Sequence, residues 1–129
     1  MRRAVFVLLV LLAQALPLQA QVATVTAGEH ADFTRVVVRV QPADRWQLSG
    51  EGTDQRLRLS NDRTRFNLQT LFDRIPRTRL AAARDAGPEL QLSLACPCPV
   101  RAWEERPGLI VIDIANPPPP PPVEGPAPG

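Results

Sequence analysis

The chain has 129 residues, 15 basic and 13 acidic side chains, a formal charge of +2 and two cysteines. Every basic side chain is arginine and tyrosine is absent, so neither a lysine nucleophile nor a tyrosine acid is open to it. Arg2 and Arg3 belong to an N-terminal export signal. Without them 13 arginines balance 13 acids, and no excess of positive charge calls for a nucleic-acid partner.

Residues 1–20 read as a cleavable secretory signal peptide. Met1-Arg2-Arg3 is a positive start, Ala4 to Leu16 is apolar except for Gln14, and Pro17-Leu18-Gln19-Ala20 ends on the small residue that signal peptidase needs. The apolar run is about 13 residues, shorter than the ~20 that a membrane-crossing helix requires. Cleavage after Ala20 leaves Gln21 as the new N-terminus and no stable transmembrane span. The exported unit is then residues 21–115, enough for one domain with one core, followed by a proline-rich tail over residues 116–129. The run Pro117–Pro122 favours polyproline II, which makes the tail a disordered stalk or linker, or a ligand for a proline-binding groove.

Within residues 21–115 the dominant pattern has period two. Phe33 to Val40 places Val36, Val38 and Val40 on one face and Phe33, Arg35, Val37 and Arg39 on the other. Trp46 to Leu48 follows Pro42. Arg56 to Ser60 puts Leu57 and Leu59 in and the arginines out, and Phe66 and Leu68 share a face after the Asn61-Asp62 turn. Thr70 to Ile75 breaks the pattern, with a capping residue and apolar positions at helical spacing, so a short helical turn plugging one end is expected there. Arg79 to Ala83 is ambiguous between helix and strand, and the nearby Asp85-Ala86-Gly87-Pro88 turn favours strand. Leu90 to Cys96 alternates cleanly until Pro97 and Pro99 remove ladder donors. Val100 to Trp103 resumes, and Leu109 to Ile114 is apolar on both faces except for Asp113, the mark of a strand covered on both sides. About eight strands in one small domain indicate an antiparallel β-sandwich or a partly open barrel.

Chemistry-bearing residues are sparse. Cys96-Pro97-Cys98 is compatible with a disulfide, with two buried thiols, or with a redox role. In an extended chain the two Cα atoms would stand ~6.5–7 Å apart, at the edge of disulfide geometry. A zinc site needs more ligands than these and the single His30. His30 lies between Glu29 and Asp32 and reads as a solvated loop residue. No nucleophile or metalloprotease motif is present, no cofactor signature is legible, and the chain reads as a non-enzyme. Asp113 calls for an arginine partner. The candidate ligand-binding residues are Arg35, Arg39, Arg56, Arg58, Arg74 and Arg77, whose planar forks suit carboxylates and phosphates. Trp46 and Trp103 are candidates for sugar stacking or for the core.

At Phe33-Thr34-Arg35-Val36-Val37-Val38 and at Leu109-Ile110-Val111-Ile112-Asp113-Ile114 the chain resembles the AMIN domain, whose early and final strands carry similar Thr-Arg-Val-Val and Val-Val-Asp-Leu patterns. The Cys-Pro-Cys segment and the Leu71–Ile75 turn depart from that family, and no amidase domain follows. The resemblance implies a small periplasmic β-sandwich that targets proteins to the cell wall or to septal and secretion machinery. It singles out Arg35 and Arg39. Taken together, the expectation is an exported, periplasmic binding module whose partner is peptidoglycan, another envelope polymer or an envelope protein. The alternatives are a thiol–disulfide or assembly factor using Cys96 and Cys98, and a structural scaffold on a proline-rich stalk.

Overall fold

A computed structural model describes residues 21–122. Residues 1–20, where the sequence leads one to expect a signal peptide, and the last residues of the tail, 123–129, lie outside them. The strands are β1 (Gln21–Glu29), β2 (Phe33–Arg39), β3 (Trp46–Glu51), β4 (Asp54–Leu59), β5 (Thr64–Asn67), β6 (Leu80–Ala86), β7 (Glu89–Leu94), β8 (Val100–Arg106) and β9 (Leu109–Ala115). They form a five-stranded sheet of order β5-β1-β2-β9-β8 and a four-stranded sheet of order β3-β4-β7-β6. The two sheets are not closed into a barrel, and the architecture is an antiparallel-rich sandwich. Among the described residues only β1 and β5 pair in parallel.

The core is what the alternation dictates. Val36 and Val38 from β2, Leu57 and Leu59 from β4, Leu90 and Leu92 from β7, and Ile110, Ile112 and Ile114 from β9 are almost fully buried between the sheets. Each contributes roughly 1.5–3 kcal/mol of hydrophobic stabilisation relative to exposure. The two-residue loops use glycine where the backbone demands it. Pro107-Gly108 joins β8 to β9 with Gly108 at φ +83°, the proline-then-glycine order of a type II turn.

Three sequence expectations need correction. The described residues hold nine strands, because β1 precedes the first expected strand. Its inward residues Ala23, Val25 and Ala27 are small, so the apolar signal is weak, yet the strand carries a full antiparallel register with β2 from Thr24 to Glu29. The segment Thr70–Ile75 is not helical. It makes two separate tight turns, in which the Leu71 and Asp73 amides donate to the Leu68 and Thr70 carbonyls at 3.2 and 3.1 Å. Pro76 leaves too few residues to repay helix nucleation. Its plugging role stands, since Leu71 and Ile75 are buried in the core. Finally, β9 is flanked by strands on both sides, but among the described residues no second layer covers its outer face. Val111 is 5 % exposed there, in register with Val37 on β2 and Trp103 on β8.

Candidate functional site

The outer face of the five-stranded sheet concentrates the unusual side chains. Cross-strand register lines up Gly28, Arg35, Asp113 and Arg101 in one row over β1, β2, β9 and β8. The next row is Thr26, Val37, Val111 and Trp103. Asp113 therefore lies between two arginines. It takes both hydrogen bonds from Arg35, Nε to Oδ1 at 2.8 Å and Nη2 to Oδ2 at 3.0 Å. The Arg35 pKa is raised above its ordinary value by this hydrogen bond. Desolvation opposes the rise, and the negative charges of Asp113 and Glu105 add to it. Arg101 is left without a carboxylate within 4.0 Å among the described residues, so the row carries one uncompensated positive charge.

Aromatic rings flank this row. The Arg35 guanidinium lies 5.2 Å from the Phe33 ring centre and 5.4 Å from that of Trp103, and Arg101 stacks on Trp103 at 4.9 Å. His30 stacks on Phe33 with ring centres 4.4 Å apart. The Trp103 indole N–H donates to Glu105 at 2.8 Å, fixing the ring. Guanidinium groups and π-faces thus alternate from Arg101 through Trp103 and Arg35 to Phe33, each cation–π contact being worth about 0.5–1 kcal/mol at an exposed site, and the His30 ring extends the stack beyond Phe33. Beside it opens a cleft of about 590 Å³ lined by Thr26, Gly28, His30, Arg35, Thr70, Asp73 and Arg74, among others. A side chain built at Gly28 would meet nothing within 4 Å, so this glycine leaves the cleft open.

The six arginines expected from the sequence do not converge. Arg35 and Arg74 line the same cleft. Arg39 lies on the same outer face of β2, one repeat beyond Val37. Arg56 and Arg58 belong to the other sheet, where both approach Glu89, at 3.6 and 3.8 Å. Arg77 covers the Phe72 ring at 3.6 Å and donates to the Ala81 carbonyl at 2.7 Å, so its head is occupied locally. Phe33, Arg101 and Gly28 were not singled out as site residues by the sequence pattern, and Trp103, a candidate for sugar stacking or for the core, lies on the outer face beside Arg35 and Arg101. The signal that finds Arg101 and Trp103 is their period-two spacing, which puts both on the outer face of β8.

Arg79 has a structural part to play. Only 9 % exposed, it donates to Asn116 Oδ1, Glu29 Oε1 and the Ala31 carbonyl at 2.7–2.8 Å, and to the His30 carbonyl and Thr34 Oγ1 at longer range. It ties the β1–β2 turn, which carries His30, to the root of the proline tail. The Asn116 amide also donates to the Asp32 carbonyl at 2.9 Å.

Cys96 and Cys98 form a disulfide. The chain bends after β7, bringing the two Cα atoms to 5.1 Å, well inside disulfide range and closer than an extended chain would hold them. The bond sits in the crossover from one sheet to the other. That crossover is pinned by the Ala95 amide on the Arg79 carbonyl and by the Ala115 amide on the Pro99 carbonyl. Cys98 is buried in the core, an apolar setting that disfavours a leaving thiolate. Among the described residues no group of three or more metal-ligating side chains comes together.

Compared with protein-family models, curated proteins and solved structures, the chain gives no match.

Proposed function

We propose that the chain is a non-enzymatic, exported β-sandwich module that binds an anionic cell-envelope polymer, with peptidoglycan as the reference ligand. The observation that carries this reading is the row Arg101–Trp103–Arg35–Phe33–His30 beside an open cleft of mixed polar and apolar lining. Glycan rings stack on aromatic faces, and guanidinium forks pair with the carboxylates that such polymers carry. The resemblance of β2 and β9 to AMIN strands supports the same location and partner class. Arg35 is the inner, fixed member of the site. Arg101 and Arg74 are its free cations, and Trp103 is its stacking platform.

Co-sedimentation with purified peptidoglycan sacculi tests the proposal. Retention is expected at low salt and falls as salt screens the arginines. Trp103→Ala and Arg101→Ala should each weaken retention about tenfold, the loss of roughly 1.4 kcal/mol that one stacking or charge-assisted contact supplies. Arg56→Ala and Arg58→Ala on the opposite sheet should bind as the parent does. No retention at low salt, or equal losses on both sheets, would contradict the reading.

A further inference from the structure

Four strands form the sheet edges: β5 and β8 in one sheet, β3 and β6 in the other. Three are blunted. β8 and β6 carry irregularities at Glu104/Arg106 and Leu80/Ala82, and β5 has four residues. β3 has no proline, no bulge and an unbroken six-residue register with β4. Such an edge presents unpaired main-chain groups to any strand that fits it.

The groups it presents follow from Arg45, the residue before β3. The Ser60 amide donates to the Arg45 carbonyl at 2.8 Å, and the Arg45 amide donates to Ser60 Oγ at 2.9 Å, so Arg45 faces β4. Antiparallel alternation then turns the N–H and C=O of Trp46 and Leu48 away from β4, toward the open edge.

We propose that β3 pairs with β3 of a second copy of this chain about a two-fold axis at Leu48. Outward groups must meet outward groups, so even-numbered residues oppose even-numbered ones, and among those registers the two-fold at Leu48 is the one that sets the free charges Arg45 and Glu51 against each other. Leu48 lies opposite Leu48 of the other copy, Trp46 opposite Gly50, and Arg45 opposite Glu51. The strand is self-complementary in this one register. Arg45 and Glu51 have no oppositely charged partner within 4.0 Å inside the chain, among the described residues, and here each gains one. Trp46 and Leu48 are only half-buried at the edge, and the second strand covers both. Gly50 leaves room for the indole opposite it, a cross-strand aromatic–glycine pairing. The hairpin itself also requires glycine there, since an added Cβ would strike the Asp54 carbonyl. The product is a symmetric dimer with one continuous eight-stranded sheet, an isologous contact in which each pair occurs twice. It stands apart from whatever the five-stranded face binds.

Sedimentation equilibrium of the chain purified after export tests this, with circular dichroism as the check on folding. The parent should show a concentration-dependent monomer–dimer equilibrium. Arg45→Glu and Glu51→Arg should each weaken dimerisation about tenfold, because two opposed pairs become like-charged. The double variant Arg45→Glu/Glu51→Arg restores both pairs and should restore the dimer. A chain that stays monomeric up to its solubility limit overturns the proposal. So does a dimer indifferent to the single reversals, or a charge swap that does not rescue.

Discussion

Arg79 shows how one side chain can hold several loops. Its guanidinium is nearly buried and bonded to five groups, so Arg79→Ala would leave the half-buried Glu29 carboxylate with only its Thr34 hydroxyl donor and no countercharge, and would remove the donor to two turn carbonyls. A loss of about 3 kcal/mol is expected, read as a lower urea midpoint with unchanged slope. Arg79→Lys should recover less than half of it, because an ammonium lacks the planar fork that reaches Asn116 and Ala31 together. Arg35 behaves differently. It is 38 % exposed, and a surface pair of this kind is worth well under 1 kcal/mol. Its raised pKa means that its share of stability is fully present at neutral pH. That share is lost only as pH rises through the shifted value, above the ordinary arginine range. Gly28 separates binding from folding. Its backbone is ordinary strand and a Cβ there meets nothing. Gly28→Val should therefore leave the thermal midpoint within about 2 °C while narrowing the cleft and lowering sacculus retention. The disulfide closes a loop of three residues, so a Cys96→Ser/Cys98→Ser double variant should cost only about 1–2 kcal/mol by chain entropy. Thiol titration of the native protein should find none free.

Among the elements, β2, β4, β7 and β9 could be read from the sequence because their inward positions are large and β-branched or leucine, giving a strong period of two. The same alternation placed Leu57 and Leu59 inside and Arg56 and Arg58 outside, as found. β1 was illegible because alanine and threonine make a shallow contrast between faces, and only its register with β2 defines it. The Thr70–Ile75 segment had helical spacing by coincidence, its apolar residues being spaced to reach the core end rather than to wind. Leu71 is fully buried there. Leu71→Ala should cost 2–5 kcal/mol through lost burial and a residual cavity, measurable by denaturant unfolding. Arg35 of the candidate site was legible because it alternates with valines in a strong strand. Its companions were not, since a row such as Gly28–Arg35–Asp113–Arg101 exists only across four strands far apart in sequence. The demand of Asp113 for an arginine was legible; which arginine answers it depended on register.

At the scale of the whole molecule, the arginines are paired unevenly. On the four-stranded sheet Glu89 is shared between Arg56 and Arg58 while Arg45 and Arg84 have no carboxylate within 4.0 Å, and around the five-stranded face Arg39, Arg74 and Arg101 have none, among the described residues. In the reading proposed above the two sheets divide the work: one presents the cation–aromatic surface, and the other offers its β3 edge to a second copy. Joined through β3, two such surfaces on one particle would bind a repetitive polymer more tightly than one through effective concentration. The tail leaves from Asn116, where Arg79 fixes its root beside the His30 turn. The central claim is that the outer face of the five-stranded sheet is the binding surface. Amide and indole chemical-shift mapping with soluble peptidoglycan fragments tests it most directly. Shifts should concentrate on Gly28, Arg35, Arg101 and the Trp103 indole N–H, leaving Arg56 and Arg58 still. Shifts centred on β4, or none at millimolar fragment, would contradict it.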